Sequence, residues 1–289
     1  MFEKVLILTD FSDHSKRLLD CITGIQGIHE IVLLHVIEDS RSPMSAENVE
    51  AFVRSSAENS FQVEKQYLET LNPAIRVTPE LITASDIAGT ILETAEKYGV
   101  DLIITGAHGI GMKAGLLTGN VTSAILCRIS RINVLIMRHR IIEALTGKTY
   151  EKFCPMIFSR ILCPTNFSPN SERAIALTSS MKGVGEVILL HIVSPGETGG
   201  SAREAIRAAE VRIGKICDTL ATKGIRSRSI VHSGLPADEI VRTAEDEDVS
   251  VIWISSYGKG CLHDFLLGSM VNDVVMNTRR PVIIIRTLD

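Results

Sequence analysis

The chain has 289 residues, of which 45% are hydrophobic and 22% charged, with a formal net charge of −4. This composition supports a buried core and argues against a disordered chain. The acidic balance, without any long basic run, argues against nucleic acid as a partner.

In chain order, Val5-Leu6-Ile7-Leu8 opens as a short apolar strand directly after Met1. This start has no basic segment, apolar stretch and cleavage site of a secretory leader. Apolar runs such as Val5 to Leu8 and Val282 to Ile285 fall far below the roughly 20 residues of a membrane span. The expectation is a cytoplasmic protein with no membrane partner. Ser12 followed by Asp13 reads as a helix N-cap, and further strands are expected near Ile31, Val77, Leu102 and Val134. After Arg160 the pattern resumes, with strands near Ile161, Val187, Ser229, Val251 and Val282 and a second cap at Ser168 with Pro169 in the first helical position. Apolar strands alternating with amphipathic helices indicate βαβ units and a parallel sheet.

The chain is written twice. Val5-Leu6-Ile7-Leu8-Thr9-Asp10-Phe11-Ser12 returns as Ile161-Leu162-Cys163-Pro164-Thr165-Asn166-Phe167-Ser168. Ile31 to Val36 returns as Val187 to Ile192, and Thr94-Ala95-Glu96 as Thr243-Ala244-Glu245. The offset shortens after the second strand, so a surface insertion is expected between Glu38 and Phe61. The stretch from His139 to Arg160 matches nothing in the other copy. The reading is therefore one domain over 1–139, a linker over 140–159 with a short helix from Ile141 to Leu145, and a second domain over 160–289.

After the fourth strand of the first copy stands Gly106-Ala107-His108-Gly109, then nine residues, then Gly119-Asn120 opening a helix. The second copy has Ser255-Ser256-Tyr257-Gly258, nine residues, then Gly268-Ser269. A strand, a glycine loop and a helix N-terminus can cradle phosphate, because backbone N–H groups converge there and the helix dipole favours an anion. One such loop also fits an ordinary tight turn; two at matched positions favour the phosphate reading. His35 and His191 end apolar strands and read as hydrogen-bonded strand-end residues rather than general bases. His108, Lys113, Lys259 and His263 lie in the glycine loops, where either a phosphate contact or plain solvation fits. The six cysteines, without a C-x-x-C pair, read as reduced structural thiols.

The paired G-x-x-G, nine residues, then G with a small polar residue resembles the ATP-binding signature of the universal stress protein family. The Thr-Asp-Phe-Ser turn, the Leu-Leu-His-Val strand and the apolar last strand extend the resemblance over nearly the whole chain. It implies two Rossmann-like α/β domains, each an open five-stranded parallel sheet flanked by helices, pairing through their last strands as an internal pseudo-dimer. Further association into a homodimer is also allowed. It implies adenine nucleotide, ATP or AMP, as ligand, with Mg²⁺ a companion that Asp10 could meet instead of the nucleoside. In the first copy it implies binding by Thr9, Asp10, Val36, Gly106, Gly109, Gly119, Asn120 and Val121. In the second copy the counterparts are Thr165, Asn166, Ile192, Ser255, Gly258, Gly268, Ser269 and Met270. Asn120 departs from the usual Ser or Thr, Asn166 from the acidic residue and Ser255 from the first glycine. The Asn120 amide can still donate to a phosphate, whereas the two departures in the second copy predict a weaker second site.

The sequence has no G-x-x-x-x-G-K-[ST] loop, kinase set or G-x-S-x-G elbow. The expected function is a nucleotide-binding regulatory or stress-response module with little turnover. A slow ATP-hydrolysing or nucleotide-transferring enzyme and a scaffold with vestigial sites are the alternatives.

Overall fold

The computed structural model describes residues 2–22, 25–39, 47–106, 120–128, 131–138, 157–194, 202–256 and 268–286. In the first half the strands are β1 (Lys4–Leu8), β2 (Glu30–Glu38), β3 (Arg76–Ala84), β4 (Leu102–Gly106) and β5 (Asn133–Met137). In the second they are β6 (Arg160–Pro164), β7 (Glu186–Val193), β8 (Ser227–Ser233), β9 (Val251–Ser255) and β10 (Val282–Ile285). The helices of the first half are α1 (Asp13–Ile22), α2 (Glu47–Leu71), α3 (Ile87–Tyr98) and α4 (Asn120–Arg128). Those of the second are α5 (Pro169–Thr178), α6 (Ala202–Thr222), α7 (Pro236–Asp246) and α8 (Ser269–Asn277).

All ten strands form one sheet in the order β3-β2-β1-β4-β5-β10-β9-β6-β7-β8. Pairing is parallel within each half, while β5 and β10 meet antiparallel, Ile283 opposite Leu135. The alternating side-chain directions of a strand sort the core into two layers. Val5, Ile7, Leu135 and Ile283 face the layer of α1, α2, α5 and α6, and Leu6, Val134, Ile136 and Ile284 face that of α3, α4, α7 and α8. Each layer runs through both halves. Trp253 shows the continuity: its ring lies 6.0 Å from Phe158 of its own half and 6.2 Å from Phe2 of the other.

The seam between the halves is dry and bonded at its rim. Val134, Leu135, Ile136, Val282, Ile283 and Ile284 are all fully buried. Asn133 accepts the Arg286 backbone N–H at 2.9 Å and donates to the Asp101 carbonyl at 2.9 Å. From the end of β5, the buried Arg138 crosses to donate to the Val275 carbonyl in the last turn of α8, where the helix dipole favours a cation. Burial lowers the Arg138 guanidinium to about 10.

One expectation gains detail and one changes. The described part of the expected insertion between Glu38 and Phe61 is helix, because Ala57, Phe61 and Leu68 recur at helical spacing and are buried in α2. Cys21, buried on α1, is disulfide-bonded, whereas Cys127, Cys163 and Cys217 are free thiols. Sequence spacing does not reveal a bridge between cysteines that only the fold brings together. The short helix expected over Ile141 to Leu145 lies outside the described residues. Among the described residues, no helix is long and apolar enough to cross a membrane.

The seam yields a direct test. Leu135→Asp or Ile284→Asp would place a charge in a dry strand pair and should cost about 3 kcal/mol or more of unfolding free energy, read by urea denaturation. An unchanged midpoint with unchanged scattering dimensions would show that the halves do not depend on this pairing.

Candidate functional site

The strand registers set the geometry. Val5 lies opposite Leu102 and Leu8 opposite Leu34, so continuing these registers sets Thr9 beside Gly106 and Asp10 level with Val36. In the second half Ile161 lies opposite Val251 and Cys163 opposite Leu189, which sets Thr165 beside Ser255 and Asn166 level with Ile192. Each half therefore gathers its candidate residues at the carboxyl ends of three adjacent strands. The helices cross from one face to the other between β1 and β4, and between β6 and β9. Such a switch point opens the crevice in which α/β sheets take ligands.

The turn leaving the first strand has the same backbone in both halves. Phe11 (φ 60) and Phe167 (φ 58) both stand in the left-handed region, uncommon for a bulky residue. The Phe11 N–H donates to Thr9 Oγ1 at 3.0 Å, and the Phe167 N–H to Thr165 Oγ1 at 3.0 Å. The Asp10 Oδ1 accepts the Ser12 N–H at 3.1 Å and the Ser15 hydroxyl; Asn166 Oδ1 accepts the Ser168 N–H at 3.1 Å. Helix capping follows at once, with Ser12 Oγ accepting from Ser15 N–H at 3.2 Å and Ser168 Oγ from Ser171 N–H at 3.3 Å.

The strand-end histidines are structural in the way their position implies. His35 Nδ1 lies 2.8 Å from the Thr9 carbonyl and His191 Nδ1 2.8 Å from the Thr165 carbonyl. A carbonyl only accepts, so both rings carry their proton on Nδ1. The phenyl rings lie against them, at 4.6 Å for Phe11 on His35 and 4.3 Å for Phe167 on His191.

Behind the turn the halves diverge. In the first, Phe61 meets Phe11 edge-on at 4.9 Å, and the Thr9 hydroxyl donates to Glu64 Oε1 at 3.1 Å. Glu64 is only 2% exposed, and among the described residues its Oε2 has no hydrogen-bond partner. Burial pushes the Glu64 carboxyl up to about 7, against the opposing pull of the Thr9 hydroxyl and the Lys16 charge. In the second half, the Arg212 guanidinium lies 4.3 Å from the Phe167 ring centre and donates to the Phe167 carbonyl at 3.0 Å. There the Thr165 hydroxyl pairs with Ser171 Oγ at 3.0 Å. Sequence reading placed Phe11 and Phe167 in the repeated turn without giving them a role, and missed Glu64 and Arg212 behind it. The repeated Phe before each Ser cap was the available signal, whereas Glu64 had none, since its helix reads as ordinary polar surface.

At the fourth strands, Gly106 pairs with Met137 and Ser255 with Ile285. Both are ordinary strand residues without positive φ, so the sheet accommodates the Ser255 Cβ. Asn120 and Val121 open α4, and Ser269 and Met270 open α8 behind an N-cap Gly268 that supplies no side-chain bond. Asn120 and Ser269 are exposed, at helix ends whose first-turn N–H groups have no intrahelical acceptor. Gly109 and Gly119, Gly258, and the loop residues His108, Lys113, Lys259 and His263 lie outside the described residues. Among the described residues, no group of three or more His, Cys, Asp or Glu could hold a metal ion.

The shared role of Asp10 and Asn166 gives a prediction. Asp10→Asn should leave stability within about 0.5 kcal/mol, since the amide oxygen still accepts the Ser12 N–H, whereas Asp10→Ala should lose about 1 kcal/mol. Equal losses in urea denaturation would show that the turn does not need this acceptor.

Three comparisons bear on this geometry. The model of the universal stress protein family matches residues 1–138 and again 158–286. A universal stress protein of Methanocaldococcus jannaschii is 29% identical over 156 residues, 45% of this chain and 96% of that protein. Another, from Bacillus subtilis, is 28% identical over 116 residues, 40% of this chain and 74% of that protein. The crystal structure of a universal stress protein from Archaeoglobus fulgidus has the same fold at a TM-score of 0.72 and 22% identity, over 99% of this chain and 97% of that one.

Proposed function

The chain belongs to the universal stress protein family, and from that premise we propose that each half binds adenine nucleotide, ATP or AMP, at its strand-end crevice. The observation that carries the proposal is the duplication of the crevice. Two halves with diverged side chains keep a Thr-Asp/Asn-Phe-Ser turn, the end of a second strand and a helix N-terminus at the same registers. Packing alone does not require a strained Phe at both turns. A binding surface that needs a defined backbone does.

The residues present fit such a ligand. The half-buried turn and the ends of β2 and β7 offer backbone and an Asp10 or Asn166 side chain to base and ribose. The ends of β4 and β9 and the first turns of α4 and α8 offer N–H groups and a positive dipole end to phosphates. The glycines of the sequence motif, Gly109, Gly119 and Gly258, would complete the phosphate side. Mg²⁺ would accompany a triphosphate through ligand oxygens and water, since Asp10 Oδ1 already accepts two hydrogen bonds.

The role we infer is regulatory binding with little turnover, in the cytoplasm. His35 and His191, the side chains that could serve as bases beside the turns, are each tied through Nδ1 to a backbone carbonyl. Nucleotide at two helix N-termini would stabilise one state of the pseudo-dimer for a partner to read.

Freshly purified protein, denatured and chromatographed, should release adenine nucleotide. Added ATP at a hundred times its dissociation constant should stabilise the chain by about 2.7 kcal/mol, a rise of roughly 5–10 °C in Tm. No released nucleotide and no shift with millimolar ATP or AMP would overturn the proposal in favour of a scaffold. The two sites should also differ. The Asp10 half should bind more tightly, so that Gly109→Val removes the tighter event in calorimetry and Gly258→Val the weaker one; the reverse assignment would refute this order.

A further inference from the structure

Glu64 is a buried carboxyl that the nucleotide reading does not use. It approaches the Thr9 to Ser12 turn from the α2 layer. Its Oε1 takes the Thr9 hydroxyl, whose oxygen in turn takes the Phe11 N–H, so a bonded chain runs from Glu64 to the left-handed residue of the turn. The other oxygen is buried and has no hydrogen-bond partner among the described residues. A neutral carboxyl tolerates that surrounding, whereas an ionised one must draw in water or a counter-charge.

The second half serves as an internal control. Buried Ala57, Phe61 and Leu68 of α2 correspond to Ala209, Ile213 and Leu220 of α6 at one constant offset, which sets Ile216 at the place of Glu64. Ile216 packs on the core, and Thr165 turns its hydroxyl to Ser171. Two turns with the same backbone thus rest on different supports, a carboxyl in the first half and an apolar side chain in the second.

We propose that Glu64 is a proton-linked positioning residue of the first-half nucleotide site: while neutral it leaves the layer behind the turn closed, and on ionisation its unpartnered oxygen draws water in beneath the turn and weakens nucleotide binding. This rests on the nucleotide reading above. The charged groups facing Glu64 are Asp10 from the turn and Lys16 from α1, and His35 of β2 lies beyond the Thr9 carbonyl. Asp10 opposes ionisation and Lys16 favours it. A histidine stands in both halves, so proton effects that originate there appear at both sites, while those of Glu64 appear only at the first. The sign follows from linkage: nucleotide prefers the neutral form, so binding takes up a proton and affinity falls as pH rises above about 7, by at most about tenfold per pH unit. The negative phosphates act in the same direction.

The test is calorimetric titration of the full chain with ATP at pH 6, 7 and 8, in two buffers of different ionisation enthalpy, for the wild type and Glu64→Gln. The wild type should take up close to one proton at the first site at pH 8 and lose about five- to tenfold in affinity between pH 7 and 8. Glu64→Gln keeps an acceptor for Thr9 but cannot ionise, so it should bind without that uptake and with a flat profile, leaving the second site unchanged. If Glu64→Gln does not fold, Glu64→Leu, which copies the apolar support that Ile216 gives the second half, takes its place. Equal proton uptake and equal pH profiles in wild type and variant would overturn the proposal. A second arm needs no nucleotide: the Tm of the wild type should fall more than that of Glu64→Gln from pH 6 to 8. If neither ATP nor AMP binds at any pH, the nucleotide reading fails and the linkage with it, while a difference in the melting arm would still mark Glu64 as the proton site.

Discussion

The antiparallel pairing of β5 with β10 is the contact on which the rest of the molecule depends. Both strands are apolar on both faces, so neither could serve as a solvent-facing edge without exposing a row of Val, Leu and Ile and a line of unpaired backbone groups. Their pairing removes both edges at once and lets the helical layers run from one half into the other. Because the pairing is antiparallel, the strands of the two halves point in opposite directions. The two carboxyl-end crevices therefore open at opposite ends of one sheet. Arg138 on the Val275 carbonyl and Asn133 under the Arg286 N–H tie this seam to α8 and to β4, so the crevices share a rigid frame without sharing residues.

Within that frame the turn after the first strand holds the stored strain. A left-handed Phe costs about 1–3 kcal/mol and persists only where its surroundings over-determine it. Here they do: the N–H is bonded, the preceding Asp or Asn closes the turn, a Ser cap starts the helix and the ring stacks on a histidine whose own proton is committed. A turn so constrained presents its backbone to the crevice with little freedom to lose on binding, which is the physical sense of preorganisation.

Duplication has left the backbone of this turn alone while its support diverged. The first half leans on Glu64 and Phe61, the second on Arg212 stacked over Phe167 and on Ser171. A buried carboxyl and an exposed cation respond differently to pH and salt, so the halves are inequivalent where their main chains coincide. That difference lies in the layer behind the site and adds to the exchange of Asp10 for Asn166 on the side facing it.

The sequence by itself determined the elements and their doubling. The eight inner strands fall where short apolar runs stand between turn residues, because a strand buried on both faces has to be written as a continuous apolar run, while the half-exposed edge strands β3 and β8 mix polar residues into theirs. Ser12 and Ser168 cap their helices as read, since capping is local chemistry within three residues. His35 and His191 were also legible, because the end of an inner strand leaves few partners other than the neighbouring carbonyl. Only the tertiary structure decided the rest. It fixed where α2 begins within the longer stretch after β2, bridged Cys21, and aimed Arg138 across the seam at α8. It also buried Glu64 under Thr9, fifty-five residues away in the chain. The physical reason is range: periodicity and capping act between near neighbours, whereas the burial of a charged side chain depends on which distant surface closes over it.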